Sequence, residues 1–342
     1  MQQHLRKLIG LAIGLALTGS GLLATNTQAQ AISLDLTASS SSARTVALGS
    51  LVSDASYPAA LRTAMVNPSK NPSGANNWNC RPSLAHPYPV VLVHGTWANA
   101  YDDWNGLSQI LTYYGYCVFA VNYGATTVLP FLGGTADMVD SAQEIAQFIS
   151  RVLASTGAAK VDLIGHSQGG AQVRYFANLV GGAASVDQVI GISPSNHPTT
   201  GSGLTNLSKQ LQLFGVAMGA MDFMHMPAIE QQADHSPGAQ APFYQQLNDF
   251  GETVPGLSYT NILTKNDEVV TPYTQGAITA GPGASVDNIV IQNVCPLDQS
   301  DHISMTYSKN VAQIVLNKLD PSDQRPIRCY AQAAVVGSTR PI

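Results

Sequence analysis

The sequence predicts an α/β fold, a mostly parallel sheet with helices on both faces, and three observations carry that prediction. Residues 89–94 (PVVLVH) and 116–122 (YCVFAVN) are apolar almost throughout, as strands buried on both faces must be. Such runs alternate with stretches of helical periodicity, the pattern of strands joined by crossover helices. In residues 137–153, Met138, Ile145, Ile149 and Val152 fall on one helical face. Residues 161–170 read VDLIGHSQGG, a short apolar strand running into a glycine-rich turn, and AQVRYFANLV follows with helical spacing.

In chain order, residues 1–31 read as a secretory signal peptide. A basic start with Arg6 and Lys7 precedes a short apolar stretch, interrupted at Thr18, Gly19 and Ser20, and Ala29-Gln30-Ala31 is the cleavage site. The interruption argues against a permanent transmembrane helix. Residues 32–75 read as an N-terminal arm, loosely held over 32–56, with a short helix over 57–65. Residues 67–87, rich in Pro, Asn, Ser and Gly, should be irregular. The catalytic domain then spans residues 76–342. Its strands fall at 89–94, 116–122, 161–164, 186–192, 258–263 and 289–294. Its helices fall at 107–113, 137–153, 171–179 and 311–319. Residues 194–242 break the rhythm and hold Leu211, Phe214, Met218, Met221 and Met224. They enter at the carboxyl side of a strand, where α/β sites lie. They read as a small apolar cap over the site, with an ordinary core helix as the alternative.

Only 11% of the residues are charged, and removing Arg6 and Lys7 with the leader takes the net charge from −5 to −7. That excludes a nucleic-acid partner, which demands a basic face. Four cysteines, Cys80, Cys117, Cys295 and Cys329, in a chain with a leader point to disulfides. Three connectivities are open, and the two sequence-local pairs are favoured. No Cys-x-x-Cys spacing supports a metal site.

The chemistry centres on Gly165, Ser167 and Gly169, the pattern Gly-x-Ser-x-Gly between strand and helix, where a nucleophilic serine sits on a strained turn. Its hydroxyl needs a base, and histidine has the right pKa. Of the seven histidines beyond the leader, His302 follows the last strand, while His166 adjoins the serine and must point elsewhere. His302 is therefore the candidate base. Asp267, after the strand at 258–263, is the candidate acid that holds its tautomer. Glu268 is the alternative, Asp298 stays among the candidates, and Asp301 is expected to face solvent. An oxyanion needs fixed donors. The N–H groups of Thr96 and Gln168 should supply two, and the Thr96 hydroxyl a third.

The segments PVVLVHGTWANAYDDW, GYCVFAVNYG, AAKVDLIGHSQGG, TKNDEVVTPY and CPLDQSDHISM, in that order, resemble the secreted bacterial class 2 lipases of the α/β-hydrolase superfamily. The chain is more distantly similar to the yeast lipase B type. The likeness covers about residues 76–320. It implies an α/β-hydrolase fold and places the nucleophile on Ser167, the acid on Asp267, the base on His302 and the oxyanion donors on Thr96 and Gln168. It also implies the disulfides Cys80–Cys117 and Cys295–Cys329. Relatives with an extra cysteine pair in the cap differ from this chain there. The expected activity is hydrolysis of a triacylglycerol or other lipid ester, at a lipid–water interface, without metal or organic cofactor, by a secreted, extracellular or periplasmic monomer. A polyester hydrolase with the same chemistry and a non-catalytic binding protein of the same fold are the alternatives.

Overall fold

The computed structural model describes residues 54–125, 131–213, 226–233, 242–249 and 251–338; the expected leader lies outside them. Six strands form one sheet: β1 (Val90–Val93), β2 (Val118–Val121), β3 (Val161–His166), β4 (Val186–Ile192), β5 (Ser258–Leu263) and β6 (Ser285–Val290). Their order is β2-β1-β3-β4-β5-β6, and every pairing is parallel. Continuous apolarity fits, because both faces are covered. Side chains alternate across the pleat. Leu92 and Ile164 enter one core with Trp104, Leu107, Val311 and Val315. Val91, Val93 and Leu163 enter the opposite core with Ile145, Ile149 and Val173.

The helices that form these two layers are α2 (Ala100–Tyr113), α3 (Met138–Thr156), α4 (Gln168–Leu179) and, nearer the C terminus, α9 (Lys309–Leu319). Between β4 and β5 lie α5 (Gly201–Leu213), α6 (Pro227–Gln232) and α7 (Pro242–Asp249). The first two lie in residues 194–242, the segment read as the cap, and α7 begins at its end. Met218, Met221 and Met224 lie outside the described residues, so the apolar stripe expected there is not described. Leu204, Leu207, Met226 and Ile229 are buried in a third core with Trp97 and Ile303.

Two elements differ from the sequence reading. Helix α2 begins at Ala100 rather than at 107. Asn99 caps it, accepting from the N–H groups of Tyr101 and Asp102, while Asp102 returns a bond to the Asn99 N–H. This capping box starts the helix inside a polar stretch where apolar periodicity is silent. The last strand runs over Ser285–Val290, not 289–294. As the sheet's edge, paired only with β5, it carries exposed Ser285, Asp287 and Asn288 and so has no apolar run. The apolar residues after it form a helical turn, α8 (Ile291–Val294), with Ile291 buried in the core.

Helix α1 (Tyr57–Val66) belongs to the same body as the sheet. Its Tyr57, Leu61 and Ala64 are buried beside Trp97 and Tyr307, and the Tyr57 N–H bonds to Val336 O at 3.1 Å. The cysteines stand at disulfide distance as Cys80–Cys117 and Cys295–Cys329, with Cα atoms 5.8 and 5.0 Å apart. The first ties the irregular segment before β1 to the start of β2. The second ties the C-terminal tail to the residue after α8.

Candidate active site

Strand order reverses at β1, which has β2 on one side and β3 on the other. In an open parallel sheet, the crevice outside the carboxyl ends of the strands at such a reversal is where ligands bind. Thr96 follows β1 and Ser167 follows β3, so both stand at that crevice.

The turn at Ser167 is strained, with φ 53° and ψ −123°, a region non-glycine residues rarely occupy. The residues two before and two after it are glycine because nothing larger fits. A Cβ on Gly165 would stand 2.2 Å from Gly169 O, and one on Gly169 would stand 2.1 Å from Val93 O. Backbone bonds from Ser167 N to Ile192 O (3.1 Å) and from Ser195 N to Ser167 O (2.9 Å) hold the turn.

Asp267 and His302 come together. The Nδ1 of His302 lies 2.9 Å from Asp267 Oδ1 and 3.0 Å from Oδ2. The carboxylate is itself fixed by the N–H groups of Val269 (3.0 Å) and Val270 (2.8 Å). Both side chains are buried. The His302 Nε2 is buried with no hydrogen-bond partner. Burial by itself pulls the His302 imidazole down. The charge and hydrogen bond of Asp267, helped by Glu268 and Asp301, outweigh it and raise the ring above its ordinary value. Ser167 and His302 line one pocket, with Gly95, Thr96, Asp103 and His166 as its polar side and Tyr57, Ala98, Leu207 and Ile303 as its apolar side.

The other acids considered lie elsewhere in the network. Glu268 accepts from Gln210 Nε2 of α5, and burial pushes its carboxyl up to about 7, with His302 opposing and Asp301 and Asp267 adding. Asp298 receives Ser300 N, Ser308 Oγ and Asn310 Nδ2, and so holds the start of α9. Asp301 does not face solvent. It is buried, because its Oδ1 accepts from the N–H (3.0 Å) and hydroxyl (2.6 Å) of Ser304. That local turn gives the carboxylate partners inside the protein.

Gln168 opens α4, where helix geometry leaves the N–H without an intrahelical acceptor. The Thr96 hydroxyl is not the third free donor expected of it. It donates to Gln232 Oε1 of α6 at 3.2 Å and accepts from Gln168 Nε2 at 3.0 Å. Gln168 also donates to Gly134 O at 2.9 Å and receives the Tyr123 hydroxyl at 3.0 Å. Its side chain therefore staples the turn after β1 to the start of α4. Sequence reasoning missed this, as it missed Gln232 and Tyr57, because each makes its contact with a distant part of the chain.

The remaining described histidines have other roles. His94 is buried and driven down to about 4 by burial, with the Gly95 carbonyl opposing. His197 pairs with Glu252 at 2.5 Å, and His86 stacks on Tyr116. His225 and His235 lie outside the described residues. Among the described residues no cluster of His, Cys, Asp and Glu could hold a metal ion, and no helix is long and apolar enough to cross a membrane.

Comparison with known proteins adds family evidence. The model of the class 2 lipase family matches residues 87–315. A triacylglycerol lipase of Pseudarthrobacter phenanthrenivorans is 38% identical over 95 residues, covering 26% of this chain and 28% of that protein. A triacylglycerol lipase of Vibrio cholerae is 36% identical over 126 residues, covering 32% of this chain and 38% of that one. The similar stretches thus span well under half of either relative. Among solved structures, Aspergillus fumigatus lipase B superposes with a TM-score of 0.56 at 19% identity, covering 75% of this chain and 57% of that one, which is a likeness of fold.

Proposed function

The chain belongs to the class 2 lipase family, and from that premise we propose that it is a serine carboxylester hydrolase that cleaves triacylglycerols or related lipid esters through an acyl-enzyme. One observation carries the mechanism. His302 has Nδ1 held by the Asp267 carboxylate, while its buried Nε2 has no partner and its ring shares a pocket with the strained Ser167. A base must be oriented on one nitrogen and available on the other.

In the proposed reaction Ser167 Oγ attacks the ester carbonyl carbon, and His302 Nε2 takes the hydroxyl proton. The N–H groups of Thr96 and Gln168 receive the developing oxyanion. Collapse expels the alcohol, which leaves with the proton from Nε2. Water then repeats the sequence on the acyl-enzyme and returns Ser167. Asp267 stays ionised and stabilises the imidazolium. The scheme uses no metal or organic cofactor. Tyr57, Ala98, Leu207 and Ile303 give the pocket an apolar side that suits an acyl chain.

The same reading assigns residues 1–31 to a leader, 32–75 to an arm and 76–342 to the catalytic domain of a secreted monomer. Two cysteine pairs at disulfide distance and bacterial lipase relatives support secretion. The test is hydrolysis of triolein, short p-nitrophenyl esters and a polyester film by wild type and Ser167→Ala. Wild type should cleave triolein and the nitrophenyl esters, and Ser167→Ala should fold and lose the activity. No cleavage of any ester by wild type would leave a binding protein. Retention of more than about a tenth of kcat by the variant would mean another nucleophile.

A further inference from the structure

A second aspartate–histidine pair stands directly behind the first, and the proposed reaction does not use it. Asp103, in the first turns of α2, and His166, the last residue of β3, are both buried. The His166 Nδ1 lies 2.9 and 3.0 Å from the two Asp103 carboxylate oxygens. Its Nε2 lies 3.0 Å from the backbone carbonyl of His302. Each ring nitrogen thus faces a hydrogen-bond acceptor. Asp103 Oδ2 also receives the Gly95 N–H at 2.9 Å, and Gly95 immediately precedes Thr96. One carboxylate is thus bonded to the turn after β1 and, through one imidazole, to the backbone of the candidate base. The imidazole itself is adjacent in sequence to the candidate nucleophile. The rings of His166 and His302 have centroids 4.9 Å apart, and Trp104 closes His166 off edge-on.

We infer that His166, anchored by Asp103, is a positioning residue that fixes His302 through its backbone carbonyl and keeps the base in register with Ser167 and the oxyanion turn. The inference rests on the proposed roles of Ser167 and His302. Its physical basis is that His302 sits in a loop after α8, outside the six paired strands and beside an isolated bridge between Asp301 and Asn266. The sheet holds the serine turn rigidly, so the base needs a separate tie to it. A misplacement of about 1 Å in such a pair can cost a hundredfold in rate. Asp103 suits the anchor role. Burial would raise its carboxyl, but the charge and hydrogen bond of His166 and the Gly95 N–H outweigh that and hold it below the ordinary range. It also lies near the N-terminus of α2, where negative charge is favoured.

Two substitutions separate positioning from mere stability. An asparagine at 166 reaches the place of Nδ1. It keeps the bond to Asp103 and loses the bond to His302. A glutamine reaches the place of Nε2. It keeps the bond to the His302 carbonyl and leaves the buried Asp103 charge without its partner, which costs stability. His166→Asn should therefore melt higher and turn over more slowly, with kcat down about ten- to a hundredfold and KM within about twofold. His166→Gln should melt lower and keep kcat within about fivefold of wild type. If His166→Gln fails to fold, the double variant His166→Gln with Asp103→Asn removes the buried charge and takes its place in the comparison. A glutamine variant as slow as or slower than His166→Asn would overturn the inference, since activity would then follow stability. Ser167→Ala is measured alongside on the same nitrophenyl ester. If it stays active, the reading of the site itself is wrong. If it is inactive and the glutamine variant is no faster than His166→Asn, only the positioning role is lost.

Discussion

Two buried aspartate–histidine pairs lie side by side at the carboxyl edge of the sheet. In each, a carboxylate holds Nδ1 of the ring at 2.9 Å: Asp267 on His302, and Asp103 on His166. They part at the other nitrogen. Nε2 of His166 is bonded to a backbone carbonyl, and Nε2 of His302 has no partner. They part again in what holds the ring. His166 is the end of a central strand, while His302 lies on the loop beyond α8. Identical residue types thus yield a strut in one place and a candidate base in the other. The deciding feature is the last hydrogen bond of the ring.

The sharpest way to break this comparison is to neutralise each carboxylate in turn. Asp267→Asn should lower kcat several-thousandfold, through loss of the His302 tautomer and of the charge that stabilises imidazolium. Asp103→Asn should cost about fivefold at most, because His166 keeps its bond to the His302 carbonyl. Glu268→Gln should cost less than about tenfold, because its side chain is bonded to Gln210 rather than to the ring. Equal losses at Asp267 and Asp103 would erase the distinction, and a larger loss at Glu268 would move the acid.

The two pairs also make a claim about pH. The folded state raises His302 above its ordinary 6.5. Its stabilising contribution is therefore fully present below 6.5 and fades as pH rises through the folded value. The base works only once deprotonated, so activity appears as that contribution is lost. The acid limb of kcat/KM should lie above pH 6.5. In Asp267→Asn the residual activity should show that limb moved to lower pH, because the largest opposition to burial is gone and Glu268 and Asp301 alone remain against it. A limb left in place would mean that some other group controls the profile.

A smaller effect separates the disulfides. Their sequence separations, 37 and 34 residues, predict nearly equal stabilisation of about 3–4 kcal/mol in the chain-entropy model. Only Cys295 lies on the segment that leads to His302. Cys295→Ser should therefore lower kcat severalfold well below its melting temperature, and Cys80→Ser should leave it nearly unchanged. The effect is modest because Asp298, Asn310 and Gln332 also hold the tail to that segment, through bonds such as Asn310 Nδ2 to Tyr330 O at 2.7 Å and Gln299 N to Gln332 O at 3.0 Å. Equal activity loss in both mutants would remove the distinction.

The parallel sheet was legible in the sequence where strands are buried on both faces, as β1, β2 and β3 are. The edge strand β6 was not, because one-sided pairing lets polar residues into it and removes the apolar run. The start of α2 was hidden for a related reason: a capping box is written in polar residues. At the site, Gly165 and Gly169 were readable because a local backbone clash dictates them. Asp267 and His302 could be named from their place after strands, and the structure puts their side chains 2.9 Å apart. The side chains of His166, Gln168, Gln232 and Tyr57 were not readable as parts of the site, although the Gln168 N–H was named as an oxyanion donor. Each acts through a partner 30 or more residues away, such as Asp103 for His166 and Gly134 for Gln168, and a single sequence carries no signal for such pairings.

The central claim is that Ser167 is the activated nucleophile and His302 its base. Labelling with a fluorophosphonate, followed by mass mapping of the modified peptide, tests it most directly. The account predicts one adduct, on Ser167, formed rapidly in wild type and at least several hundred times more slowly in His302→Ala. An adduct on any other residue, no adduct, or undiminished labelling in His302→Ala would contradict it.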